Sequence, residues 1–143
     1  MSQEDTERVA RAWFAALDRG DVPAAVALLD EHIEWQNLSP VKGVSDVVPW
    51  FGPVCHSIPE VAETFRIRDG VADIKEFKPL NMVVQGEQAV GTIRDRAVVK
   101  STGQEFVIEF ASWLTIRDGK IVKWRSYCDP SPVIAAFKGI AEA

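Results

Sequence analysis

Residues 89–99, AVGTIRDRAVV, and residues 105–116, EFVIEFASWLTI, each alternate strictly between two kinds of side chain across one short turn, STG. Successive side chains of a strand point to opposite faces, so such a pair can hardly be anything but neighbouring strands with one face buried. In the first run the odd positions Ala89, Gly91, Ile93, Asp95, Ala97 and Val99 form the smaller, more apolar face. In the second the even positions Phe106, Ile108, Phe110, Ser112, Leu114 and Ile116 do, while Glu105 and Glu109 point away. VAETFRI, NMVVQ and KIVKWRSYC share the β-branched and aromatic texture, with RDG, QGE, STG and RDGK as turn signals. The last three turns predict hairpins, hence an antiparallel meander.

Before Pro59 the period changes. Val9, Ala12, Trp13, Ala16 and Leu17 recur at helical spacing, with Gly20 as a stop. Asp21 and Pro23 open a second helix carrying Val22, Val26 and Leu29 on one face. EHIEW reads as a short strand. GVSDVVPWFGPVCHS reads as a broken third helix, with Ser45 as cap and Gly52-Pro53 as interruption, and SPVIAAF as a short closing helix. Helices first and strands afterwards predict an α+β fold, with the helices on one face of the sheet. The length, 143 residues, suits one domain spanning 1–143.

Composition excludes several function classes. A net charge of −5 without a basic run argues against a nucleic-acid partner. No apolar run approaches the ~20 residues that span a bilayer, and the polar start MSQEDTERVA lacks the features of a signal peptide. Cys55 and Cys128 have neither metal nor disulfide spacing and fit a reducing, cytoplasmic setting as plain thiols. With His32 and His56 as the only histidines and no zinc, nucleotide or nucleophile-elbow motif, neither a metal nor a cofactor is expected. Trp13, Trp50, Trp113 and Trp124 read as core or interface aromatics, and RIRDG as a solvated turn.

Asp95 is the anomaly. It falls on the apolar face between Ile93 and Ala97, whereas Arg94 and Arg96 fall on the other. Either the carboxyl is buried and protonated, as a general acid requires, or a bulge turns it outward to an arginine. With Ile93 and Ala97 as walls, burial is expected to keep it neutral near pH 7. Asp129 also has two readings: the acid ends KIVKWRSYC, but an Asp before Pro130 is a natural cap for the last helix. In EWQNLSP, Gln36 and Asn37 are either turn residues or, for Asn37, part of a pocket.

The order of elements resembles the nuclear transport factor 2-like cone, in its SnoaL-like group: a curved antiparallel or mixed sheet covered by N-terminal helices. Within that group the motifs are most similar to the limonene-1,2-epoxide hydrolase family. The family's Tyr-Gln-Asn corresponds to Trp35-Gln36-Asn37, its Arg-x-Asp to Ile93-Arg94-Asp95, and its Trp-Arg-x-Tyr-x-Asp to Trp124-Arg125-Ser126-Tyr127-Cys128-Asp129. The resemblance implies a cofactor-free hydrolase opening an epoxide of a small apolar substrate. Asn37 would hold a water, Asp129 would take its proton, and Asp95 would protonate the epoxide oxygen. Trp35, Ile93, Phe110 and Tyr127 would contact the substrate. Trp35 stands where the family has its water-holding Tyr, and Ile93 where it has the bridging Arg. Isomerases and polyketide cyclases of the same fold supply the alternative chemistry, and a non-catalytic ligand-binding dimer the alternative class. Val90, Val98, Val107 and Trp113 on the outer face, together with the resemblance, imply a homodimer.

Overall fold

A computed structural model describes residues 2–37, 43–52 and 54–140. Helix α1 spans Gln3–Asp18. Ser2 and Asp5 close its first turn reciprocally: the Ser2 hydroxyl accepts from the Asp5 amide at 3.1 Å, and the Asp5 carboxylate accepts from the Ser2 amide at 3.2 Å. The buried stripe is Thr6, Val9, Ala10, Trp13, Phe14, Ala16 and Leu17. Ala12, expected inward, is exposed, and Phe14 takes the inward place. Helix α2, Val22–Val26, is capped by the Asp21 carboxylate, which accepts from the Ala24 amide at 3.1 Å. Leu29, expected on that helix, begins strand β1, Leu29–Asn37.

The third helix differs most from expectation. Only a single turn forms at α3, Val44–Val47, and Gly43 rather than Ser45 precedes it, without a side-chain cap. The long helix comes later: α4 spans Ile58–Val71 and contains VAETFRI and RDG, read from sequence as strand and turn. The β-branched composition is overridden by a strong start signal. The Ser57 hydroxyl accepts from the Glu60 amide at 3.3 Å, the Glu60 carboxylate accepts from the His56 amide at 3.2 Å, and Pro59 occupies the first turn. Val61 and Phe65, four apart, then give the helix its buried edge.

Strands β2 (Ala72–Gln85), β3 (Gln88–Val99), β4 (Glu105–Arg117) and β5 (Lys120–Tyr127) form the expected antiparallel meander, and α5 spans Ser131–Phe137. Asp118 and Gly119 carry φ of 52° and 78°, the left-handed pair that a two-residue hairpin between β4 and β5 requires. The sheet is open and mixed, in the order β1-β5-β4-β3-β2, because β1 joins β5 in parallel. Pro79, which has no N–H to donate, sits in edge strand β2, where bulges interrupt the pairing with β3.

The inner face is the one the alternation predicts. Ala89, Ile93, Ala97 and Val99 of β3 are fully buried, as are Phe106, Leu114 and Ile116 of β4. Helix α1 lies across this face over Gly91, where a Cβ atom would stand 2.3 Å from the Phe14 ring. One core region packs α1, α2 and α4 on the sheet, and a second packs α3 and α5. Phe110 touches both, and the cavity described below lies beside it.

Candidate active site

The cavity has a volume of about 50 Å³ and is mostly aromatic. Helix α1 contributes Trp13 and Leu17, and strand β1 contributes Trp35 and Asn37. Register explains one wall. Parallel pairing sets Trp35 beside Trp124 and Asn37 beside Ser126. The two indoles stack 3.6 Å apart at 8°, and the Ser126 hydroxyl donates to the Asn37 carbonyl oxygen at 2.7 Å. Trp13 meets Trp35 edge-on at 5.7 Å. Asn37 is therefore the last residue of a strand, facing the cavity, and the adjoining Leu38–Pro40 lie outside the described residues.

Asp95 faces the same cavity. No bulge interrupts β3 against β4 at this point: Asp95 pairs with Ile108 in regular register and is 5% exposed. Its neighbours take the other face, where Arg94 bonds Glu76 at 2.6 Å and Arg96 bonds Glu105 at 3.2 Å. The Asp95 Oδ1 atom is buried without a protein hydrogen-bond partner. Burial pushes the carboxyl up from 3.8 to about 6, opposed by the charge of Arg68. The expectation of a carboxyl neutral at pH 7 is thereby corrected. The upward shift is in the direction burial predicts, and a value of about 6 lies below the range that would keep the carboxyl fully neutral at pH 7. The opposing charge comes from α4, whose residues Val61–Gly70 read from sequence as strand and turn.

Asp129 is not among the residues lining the cavity. Its exposed carboxylate accepts from the Ser131 amide at 3.0 Å and from the Ser131 hydroxyl at 2.6 Å, and these bonds hold its acidity below the usual carboxylate value. The capping reading describes this geometry, although Pro130 is the formal N-cap and α5 begins at Ser131. Parity along β5 gives the reason. Trp124, Ser126 and Cys128 point inward, so Arg125, Tyr127 and Asp129 point outward. Tyr127 is 52% exposed and lies with Trp113, Lys123 and Arg125 in an outer-face depression, not in the cavity. Ile93 is fully buried in the core behind the cavity wall rather than on it. Trp35 and Phe110 do line it.

Cys128, beside the acid, has its thiol pushed up to about 11 by burial and by the charges of Asp129 and Asp95, so it stays protonated. Among the described residues, no three His, Cys, Asp or Glu side chains are grouped as metal ligands require. Among the lining residues not expected from the sequence are Arg68, Thr64 and Phe65 of α4, Ser126 of β5, and Cys128 just beyond it, together with the aromatic walls Trp13, Trp50, Phe51, Phe77 and Trp124 and the aliphatic Leu17 and Ile108. A Ser57-Ile58-Pro59-Glu60 start signal was available for α4, and with it the inward placement of Arg68.

A profile of the SnoaL-like domain matches residues 10–124. The chain belongs to the SnoaL-like family. No curated protein matches the sequence significantly. A nuclear transport factor 2-like protein from Burkholderia thailandensis superposes with a TM-score of 0.81 at 24% identity, over 92% of this chain and 95% of that one. A candidate polyketide cyclase from Xanthomonas campestris superposes with 0.73 at 19%, over 94% and 98%. An LEH-like epoxide hydrolase from M. tuberculosis superposes with 0.67 at 18%, over 96% and 90%. At these identities the superpositions establish the fold, and this SnoaL-like chain shares it with proteins of differing activity. No helix among its described residues is long and apolar enough to cross a membrane.

Proposed function

We propose that this SnoaL-like protein is a cofactor-free proton-transfer catalyst of the isomerase or cyclase type, acting on a small, largely apolar carbonyl compound. The observation that carries the reading is Asp95: among the described residues it is the one carboxylate lining the cavity, and its Oδ1 has no protein partner. A single acid with a value of about 6 removes a proton from carbon as the anion and returns it as the acid. An enolate formed between the two steps would be stabilised by donors on the walls. The indole N–H groups of Trp13, Trp35 and Trp124 are buried there without protein acceptors. Asn37, held by Ser126, orients the carbonyl compound from the far strand.

Epoxide opening is the second reading, favoured by Asn37 and Asp95 lining the same cavity. It requires Asp95 to act on a water without help from Asp129, which accepts from Ser131 outside that cavity. The exposed Val83, Val107, Trp113 and Tyr127 support a homodimer through the outer face. Cys55 and Cys128, which form no disulfide with each other, fit a cytoplasmic setting.

The test uses a panel of enolisable ketones, β,γ-unsaturated ketones and epoxides in deuterated water. Proton transfer incorporates deuterium at carbon or shifts a double bond without change of composition, and Asp95→Asn lowers the rate about 10²-fold or more. Epoxides gaining one water, with no exchange on any ketone, would overturn the proton-transfer reading.

A further inference from the structure

We propose that Arg68 is the specificity-determining residue of this cavity, and that the ligand it selects is a compact apolar or aromatic compound bearing a carboxylate. This assignment takes the cavity as the ligand site, as in the proposed function, and is independent of what Asp95 does there.

Arg68 stands on the boundary between two spaces. The cavity of about 50 Å³ and an adjoining groove of about 560 Å³ share Leu17, Phe65, Arg68 and Phe77 as lining residues. Of the cavity-lining side chains among the described residues, Arg68 alone is cationic. Its side chain is only 14% exposed, unusual for an arginine. The guanidinium carbon lies 5.2 Å from the Phe65 ring centre and 5.0 Å from that of Phe77, so two aromatic faces hold the charge in place.

What the guanidinium lacks is a matched anion. Its contact with Asp69 runs through a single oxygen, from Nε at 3.4 Å and Nη2 at 3.3 Å, and the Asp69 side chain is 53% exposed. Such a long, one-oxygen contact with a sequence neighbour contributes little. A planar carboxylate arriving from the groove has the geometry to take two parallel N–H bonds, which Asp69 does not. At about 50 Å³ the cavity is smaller than the roughly 150 Å³ that admits benzene. Entry of a ring therefore requires the boundary side chains to part. An anion that draws Arg68 toward the groove opens the boundary and pairs the charge in one movement, while a neutral ligand must displace the guanidinium from both rings without compensation. Arg68 also acts on Asp95 through its charge, so a carboxylate bound there sits within electrostatic reach of the acid that faces the ligand's apolar body.

The experiment compares trans-cinnamate with benzalacetone, its neutral methyl ketone of nearly the same shape, by isothermal titration calorimetry at pH 7.5. Wild type is expected to bind cinnamate at least about tenfold more tightly, about 1.4 kcal/mol. Arg68→Met keeps an apolar stem between Phe65 and Phe77; it should abolish the preference and leave benzalacetone affinity within about threefold. Arg68→Lys, the second variant if Arg68→Met does not fold, keeps one charge without the fork and should lower the preference to about threefold. Asp95→Asn removes an anion near Arg68 and should retain or raise the preference even while proton exchange is lost, so failure here and failure of the proposed chemistry are separate results. Equal binding of the two compounds by wild type, a preference that survives intact in Arg68→Met or Arg68→Lys, or no binding of either at millimolar concentration would overturn the assignment.

Discussion

Replacing Asp95 by Asn isolates the cost of burying a carboxylate against the sheet. The folded carboxyl titrates at about 6 and an unperturbed one at 3.8. Native protein therefore binds more protons than unfolded protein in this interval, and wild type loses stability as pH rises through it. The full difference corresponds to about 3 kcal/mol. Below about pH 3 the carboxyl is neutral in both folded and unfolded protein and nothing is lost; above about pH 7 nearly the whole amount is. Other acids contribute equally to wild type and variant, so the difference between the two proteins reports Asp95 alone. Asparagine occupies nearly the same space and never ionises. The variant should gain about 2.4 kcal/mol on wild type between pH 4 and pH 7.5, and be equally or more stable at the upper end. At an m value of about 2 kcal/mol per molar, this is a relative shift of about 1.2 M in the urea midpoint. Far-UV circular dichroism in urea series at pH 4, 5, 6, 7 and 7.5 measures it. A flat difference curve, or a variant weakest at high pH, would mean that Arg68 more than compensates for burial and that Asp95 is a structural anion.

Gly91→Ala places a methyl group within 2.3, 2.6 and 2.9 Å of three Phe14 ring atoms, and overpacking of this kind costs about 1–3 kcal/mol. Phe14→Leu in the same chain should recover part of that loss, and additive urea midpoints would count against the contact. Asp129→Asn distinguishes the two chemistries: proton transfer through Asp95 expects turnover within about twofold of wild type, whereas a base at Asp129 would require a loss of about 10²-fold or more.

Much of the sheet was legible because β3 and β4 alternate cleanly, and the same parity correctly turned Asp95 inward and Arg94 and Arg96 outward. On β5 the rule was harder to apply. Its inner face carries Ser126 and Cys128 because it walls a cavity, and its outer face carries Tyr127 among Lys123 and Arg125, so neither face reads as apolar. That ambiguity admitted Asp129 and Tyr127 to the expected site. Helix α4 was hidden by composition: Val61, Thr64, Phe65 and Ile67 favour strands, and Asp69-Gly70 resembles a turn. Capping chemistry at Ser57 and Glu60 outweighs those preferences, and with α4 unseen Arg68 had no place near Asp95. Asn37 was identified by resemblance, but its support by Ser126 depends on the β1–β5 register, which no local pattern encodes.

That parallel pairing has a consequence for how the protein fails. Strand β1 is the last strand of the sheet: it joins the meander through β5, with a shift in register between Leu29 and Glu34, and among the described residues its other side is bonded only at Trp35, to Cys55. Asn37 and the Trp35 half of the aromatic stack ride on it, 89 residues in sequence from their partners. Edge elements detach at lower free energy than the middle of a sheet. Loss of β1 from the sheet would therefore remove Asn37 and Trp35 from the cavity while leaving the four-stranded meander paired, so sheet content alone would not report the state of the cavity.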